Sequence, residues 1–117
     1  MLELPMNTWL LQGPHDDAPR VRYMNPAVHP HLFANALQNW ENACKVSTSD
    51  FHVWVMIFHP DEVLETQRAD ALYSRSMQTL CANLVSIADS LRRLGHDFEW
   101  TTVTRAAERW REHHLTS

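Results

Sequence analysis

Glycine is nearly missing from this chain: only Gly13 and Gly95 occur in 117 residues. Two isolated glycines cannot build a phosphate-cradling loop or a dinucleotide fingerprint, so nucleotide sites of those kinds are excluded. Cysteine is equally sparse. Cys44 and Cys81 stand far apart with no Cys-x-x-Cys pair, which excludes a disulfide framework and the usual structural zinc motifs. Lysine occurs once, as Lys45, and the formal charge is −4, so the chain has no overall basic excess for a nucleic-acid backbone. The longest strongly apolar run, Val53 to Phe58, is far too short to span a bilayer. Met1 to Met6 contains an acid and no basic segment, and Trp9-Leu10-Leu11 is too short for a signal core. A cytoplasmic protein without membrane contact is expected by elimination.

What the chain does have is apolar mass, at 44% hydrophobic and 21% charged residues, enough for a packed core. The size fits one domain. Five tryptophans and nine arginines stand out. Tryptophan serves as core filler or as an interface anchor, and arginine suits bidentate contacts to carboxylate or phosphate.

Residues 1–27 hold Pro5, Pro14, Pro19, Pro26 and Gly13, which predicts an extended or irregular N-terminal arm. Within it, Met6 to Leu11 and Val21 to Met24 suit short docked extended pieces. Residues 28–114 read as a helical domain and 115–117 as a frayed end. A helix is expected to open at His29-Pro30, because Leu32, Phe33, Ala36, Leu37, Trp40 and Cys44 recur at three- and four-residue spacing. Phe51 to Phe58 is ambiguous. Its β-branched and aromatic residues favour a strand, but no other segment is strand-like enough to pair with it, so a short buried helix is expected. The strand alternative needs pairing across a dimer or with residues 21–24.

Pro60-Asp61-Glu62 is a good helix start, and the next stop signal is Gly95. The expectation is one unusually long helix over 61–94, roughly 50 Å, with a possible break at Tyr73–Ser76 where the period slips. Gly95 suits the left-handed position after a helix, and Asp97 suits the cap of a last helix lined by Trp100, Val103, Ala107 and Trp110. The fold class that results is all-α: a small antiparallel bundle of about four helices. Both cysteines fall on apolar faces and are expected to be buried.

Chemistry-bearing patterns are weak. The eight histidines include no pair at the spacing of a helical metal motif, so no metal site and no cofactor is assigned. Asp61/Glu65 and Glu108/Glu112 lie one helical turn apart, as ordinary surface acids do, and no nucleophile motif accompanies them. Arg92, Arg93, Arg105 and Arg109 flank the turn between the last two helices and form the one candidate nucleic-acid contact, although dipole complementarity accounts for the same pattern. The favoured reading is a non-enzymatic accessory or regulatory protein acting through protein–protein contacts. Its partner is expected to be a second copy or another protein, with Trp9, Leu10, Tyr73, Trp100 and Trp110 as contact candidates. A nucleic-acid role and a small-molecule or enzymatic pocket between helices are the alternatives.

Overall fold

The computed structural model describes residues 8–13, 16–47, 51–65, 68 and 70–116. In chain order it contains strands β1 (Thr8–Leu11) and β2 (Arg20–Tyr23), helix α1 (Pro30–Val46), a short 3-10 helix (Pro60–Val63), and helices α2 (Met77–Arg93) and α3 (Val103–Thr116). The strands pair antiparallel, with Trp9 opposite Arg22 and Leu10 opposite Val21. Asp16 holds the chain between them. Its carboxylate accepts the Gly13 amide at 2.8 Å and the Arg22 guanidinium at 2.8 Å. The Gly13 amide and the paired Arg22 hold that carboxyl below the usual range.

Helix α1 forms where its apolar spacing predicts. Pro30 occupies the first turn, and Leu32, Phe33, Ala36 and Leu37 are buried. They pack with Leu11, Met24, Val28 and Ile87 of α2 into the main core, which Trp40, Trp54, Met56, Leu84 and Leu91 border. Two polar ties join α1 to α2 and to the turn before α1. Asn83, buried on α2, donates to the carbonyls of Pro26 at 2.8 Å and Val28 at 2.9 Å. Ser90 donates to the buried Glu41 carboxylate, which also receives Arg93 at 2.9 Å.

The all-α, four-helix expectation is wrong. The described residues hold three α-helices and a two-stranded antiparallel sheet. The long helix over 61–94 does not exist, because several local devices end it early. After the 3-10 helix the Asp70 carboxylate accepts the amides of Leu72 and Tyr73, and Tyr73 forms an antiparallel bridge with Val28. Arg75 then takes a left-handed φ of 55°, and Ser76 caps α2 by accepting the Thr79 amide at 3.2 Å. None of the described residues between 64 and 76 is helical, and the α-helix covers Met77–Arg93 alone.

The expected helix at 51–58 is absent too. Residues 51–59 carry neither helix nor strand, and the Ile57 amide bonds the Met24 carbonyl at 3.0 Å. Trp40 packs edge-on against Trp54 with ring centres 5.0 Å apart. Gly95 takes a φ of 77° after α2, and the amides of Gly95 and His96 return to the carbonyls of Arg92 and Leu91. The last helix starts later than Asp97. Thr102 caps it by accepting the Arg105 amide at 3.2 Å, so Trp100 lies on the connection before α3. Among the described residues α2 and α3 form no close antiparallel pair, and the connection between them runs to residue 102. Cys44 is half-buried, but Cys81 is exposed, because the inward stripe of α2 runs through Leu80, Asn83, Ile87 and Ser90.

Candidate functional site

An open groove of about 670 Å³ lies where the extended segment 51–56, the end of α2, the connection 96–102 and the first turns of α3 meet. Its walls are mostly apolar. Phe51, Val53, Trp54 and Met56 form one side, Ile87 and Leu91 the floor, and Phe98, Trp100, Val103 and Ala106 the other side. Trp100 is 56% exposed and Val103 is 67% exposed, so much of this apolar surface faces water. His96, Asp97, Glu99 and Arg109 supply polar groups around it.

The groove exists because α3 covers the domain thinly. Ala106 is its one fully buried residue among those described. Near the C-terminal end, His113 stacks on Phe51 at 4.9 Å, and Trp110 stacks on His114 at 4.0 Å. The Phe51–His113 contact ties the C-terminal part of α3 to residue 51, whereas Trp110 and His114 stack within the helix itself.

Cys44 is the groove's one thiol. Burial pushes its pKa up, which keeps it protonated and suits packing better than nucleophilic attack. Among the described residues no set of three or more His, Cys, Asp or Glu side chains is arranged to hold a metal ion. Among them also, no helix is long and apolar enough to cross a membrane.

The contact candidates read from sequence fall on several elements. Trp9 and Leu10 lie on β1, and Tyr73 forms an antiparallel bridge with Val28. Burial and a hydrogen bond to Glu62 push the Tyr73 phenol up to about 12, and the Arg75 guanidinium lies 5.3 Å from its ring centre. Glu62 is itself buried and accepts from Asn25 at 3.0 Å and from the His59 amide at 2.6 Å. Tyr73 is thus part of a structural tie. Trp100 is on the groove, and Trp110, half-buried on α3, stacks on His114 of the same helix.

The four arginines of the nucleic-acid alternative each meet a carboxylate. Arg92 pairs with Asp89 at 3.5 Å, Arg93 with Glu41 at 2.9 Å, and Arg105 with Glu108 at 3.4 Å. Arg109 pairs with Glu99 at 3.1 Å and Glu112 at 3.7 Å. The local field is therefore largely compensated.

Sequence reasoning missed the groove's other wall. Phe51 to Met56 reads as a buried helix on composition, and only the mixture of β-branched and aromatic residues hinted at an extended chain. A second, more polar cleft of about 430 Å³ lies between Gln12, Asp16 and the Asn35/Asn39 face of α1, but Asp16 is already committed to Gly13 and Arg22. No protein-family model matches the chain, and no curated protein or solved structure is significantly similar to it, so the groove's geometry is the ground on which a function is argued.

Proposed function

We propose that this chain is a non-enzymatic, cytoplasmic accessory or regulatory protein that acts through protein–protein contacts and works as a homodimer. The observation that carries the reading is the groove, an apolar surface walled by aromatic residues and left open beside Trp100 and Val103. Aromatic and methionine side chains are enriched at interfaces and lysine is depleted, and the groove follows that composition. The protonated Cys44 thiol and the carboxylate-paired arginines lend no support to nucleophilic chemistry or to a phosphate-binding face.

A small-molecule site is the second reading, favoured by a volume inside the usual range of ligand pockets. Light scattering of the purified chain at micromolar concentration tests the first reading. A mass twice the chain's 13.7 kDa is expected. A strictly monomeric protein that retains no protein partner from its native cell refutes it.

A further inference from the structure

The polar cleft that follows β1 has a chemistry the apolar groove lacks. It holds about 430 Å³ between the chain after β1 and the first half of α1. Gln12 and Asp16 line it from the first segment and Asn35 and Asn39 from the helix, together with the buried Leu32 and Ala36. The volume lies within the usual range of small-molecule sites.

Charge narrows the class of ligand first. Among the described residues of the lining, Asp16 is the one ionisable group. Its Oδ2 accepts the Arg22 guanidinium at 2.8 Å, and its Oδ1 lies 3.4 Å from Arg20 Nε. An anion entering the cleft would meet that carboxylate, and a cation would compete with two guanidiniums already in place. The occupant that suits the cleft is therefore uncharged.

Carboxamides supply the rest of its polar surface. Each offers two N–H donors and a carbonyl acceptor on one planar group. Asn35 and Asn39 stand one turn apart on α1, with Cβ atoms about 6 Å from each other. Both are exposed, and neither carboxamide has a hydrogen-bond partner among the described residues. Gln38 and Asn42, on the same helix but outside the lining, bond each other at 3.2 Å. The carboxamides at the cleft are thus the uncommitted ones. Gln12 gives one N–H to the Asp16 carbonyl at 3.0 Å and keeps its own carbonyl as an acceptor.

An aldose presents the matching pattern. Its neighbouring hydroxyls each donate and accept, and the C–H groups of its ring suit the side formed by Leu32 and Ala36. A nucleobase matches less well, because no aromatic ring among the described residues lines the cleft for it to stack on.

We infer that this cleft binds a neutral sugar, held by the uncommitted carboxamides of Asn35 and Asn39. The site is separate from the groove, and the inference stands apart from the homodimer reading.

A ligand of a dozen heavy atoms in an open cleft reaches a dissociation constant on the order of 1 mM. Chemical-shift titration of the isotope-labelled full chain tests the inference, with glucose, galactose, mannose and ribose each added up to about 50 mM. The expected result is saturable shifts with at least one aldose, centred on Gln12, Asp16 and the first half of α1. Asn35→Ala and Asn39→Ala should each weaken that binding about five-fold or more, and the double variant should abolish it. Asn42→Ala, which removes a carboxamide from the same helix outside the cleft, should leave it unchanged. All three positions are exposed on α1, so every variant should keep the native helical circular dichroism.

No saturable shift with any of the four aldoses overturns the inference, as do shifts that grow linearly without saturating. Binding that survives the double variant also overturns it, by placing the sugar elsewhere. Saturable shifts at the cleft with adenosine, where the aldoses give none, assign the cleft to a base and overturn it as well.

Discussion

Asn83 offers the sharpest test of how the fold is tied together. Its side chain is 3% exposed, and its amide donates to two carbonyls, Pro26 and Val28, in the turn that launches α1. Pro26 and Val28 are themselves buried, so water cannot take over the lost bonds cheaply. Asn83→Leu keeps the volume and removes both donors. Each buried acceptor left unsatisfied costs about 1–3 kcal/mol, so the loss should be near 3 kcal/mol. For a small domain with about 5–15 kcal/mol of total stability, that is a large share. Urea denaturation at one fixed protein concentration should show the midpoint falling by about 1–2 M. Asn83→Asp extends the argument. An ionised carboxylate would face two carbonyl oxygens, whereas the protonated acid can still donate once. The buried Asp should therefore have a raised folded-state pKa, and this variant should lose stability as pH rises through and above the ordinary carboxylate range. If Asn83→Leu stays within about 1 kcal/mol of the native protein, the two carbonyls are satisfied some other way and the reasoning fails.

Tyr73 predicts an alkaline limit. Its phenol is raised to about 12 by burial and by Glu62, so the folded state holds the proton more tightly than the unfolded chain. That contribution is fully present below about pH 10 and is lost as pH rises through about 12; Tyr73→Phe should flatten this part of the stability profile by about 1 kcal/mol once solvent screening is allowed for. Ser90→Ala removes the hydroxyl that donates to buried Glu41 and leaves only Arg93 as its named partner. Thermal melting should show a loss of about 1–3 kcal/mol, and adding Glu41→Gln should give less than the sum of the two single losses, because both changes act on one network.

Much of α1 was legible because its apolar residues recur at helical spacing and Pro30 marks its start. Gly95 was legible as the end of α2 because the left-handed conformation favours glycine. The break before α2 left only a slipped period at Tyr73–Ser76. Its causes are partly local, in the Asp70 turn and the Ser76 cap, and partly long-range, with Val28 bridging Tyr73 and Asn25 reaching Glu62. Residues 51–58 misled for a related reason. An uninterrupted apolar run has no period to read, so its conformation depends on what lies beside it, here Trp40, Met24 and α3. The α3 start was placed too early because Trp100 and Val103 keep helical spacing while only the second is in the helix. The groove was out of sight altogether, since it is made from the gaps between four segments.

The extended segment 51–58 carries a liability when the chain is not folded. Phe51 to Phe58 contains no Asp, Glu, Lys or Arg, no glycine and no proline, and it is rich in β-branched and aromatic residues. Such a stretch can stack with its own kind in cross-β order once it is released. Acid at Asp50 and the His59-Pro60-Asp61 run stand at its two ends as gatekeepers against that growth. In the native state Trp40, Met24 and α3 keep the segment engaged, so the weakly covering last helix also protects the chain from self-assembly of the wrong kind. Refolding from denaturant should accordingly succeed at low protein concentration and give β-rich precipitate at high concentration.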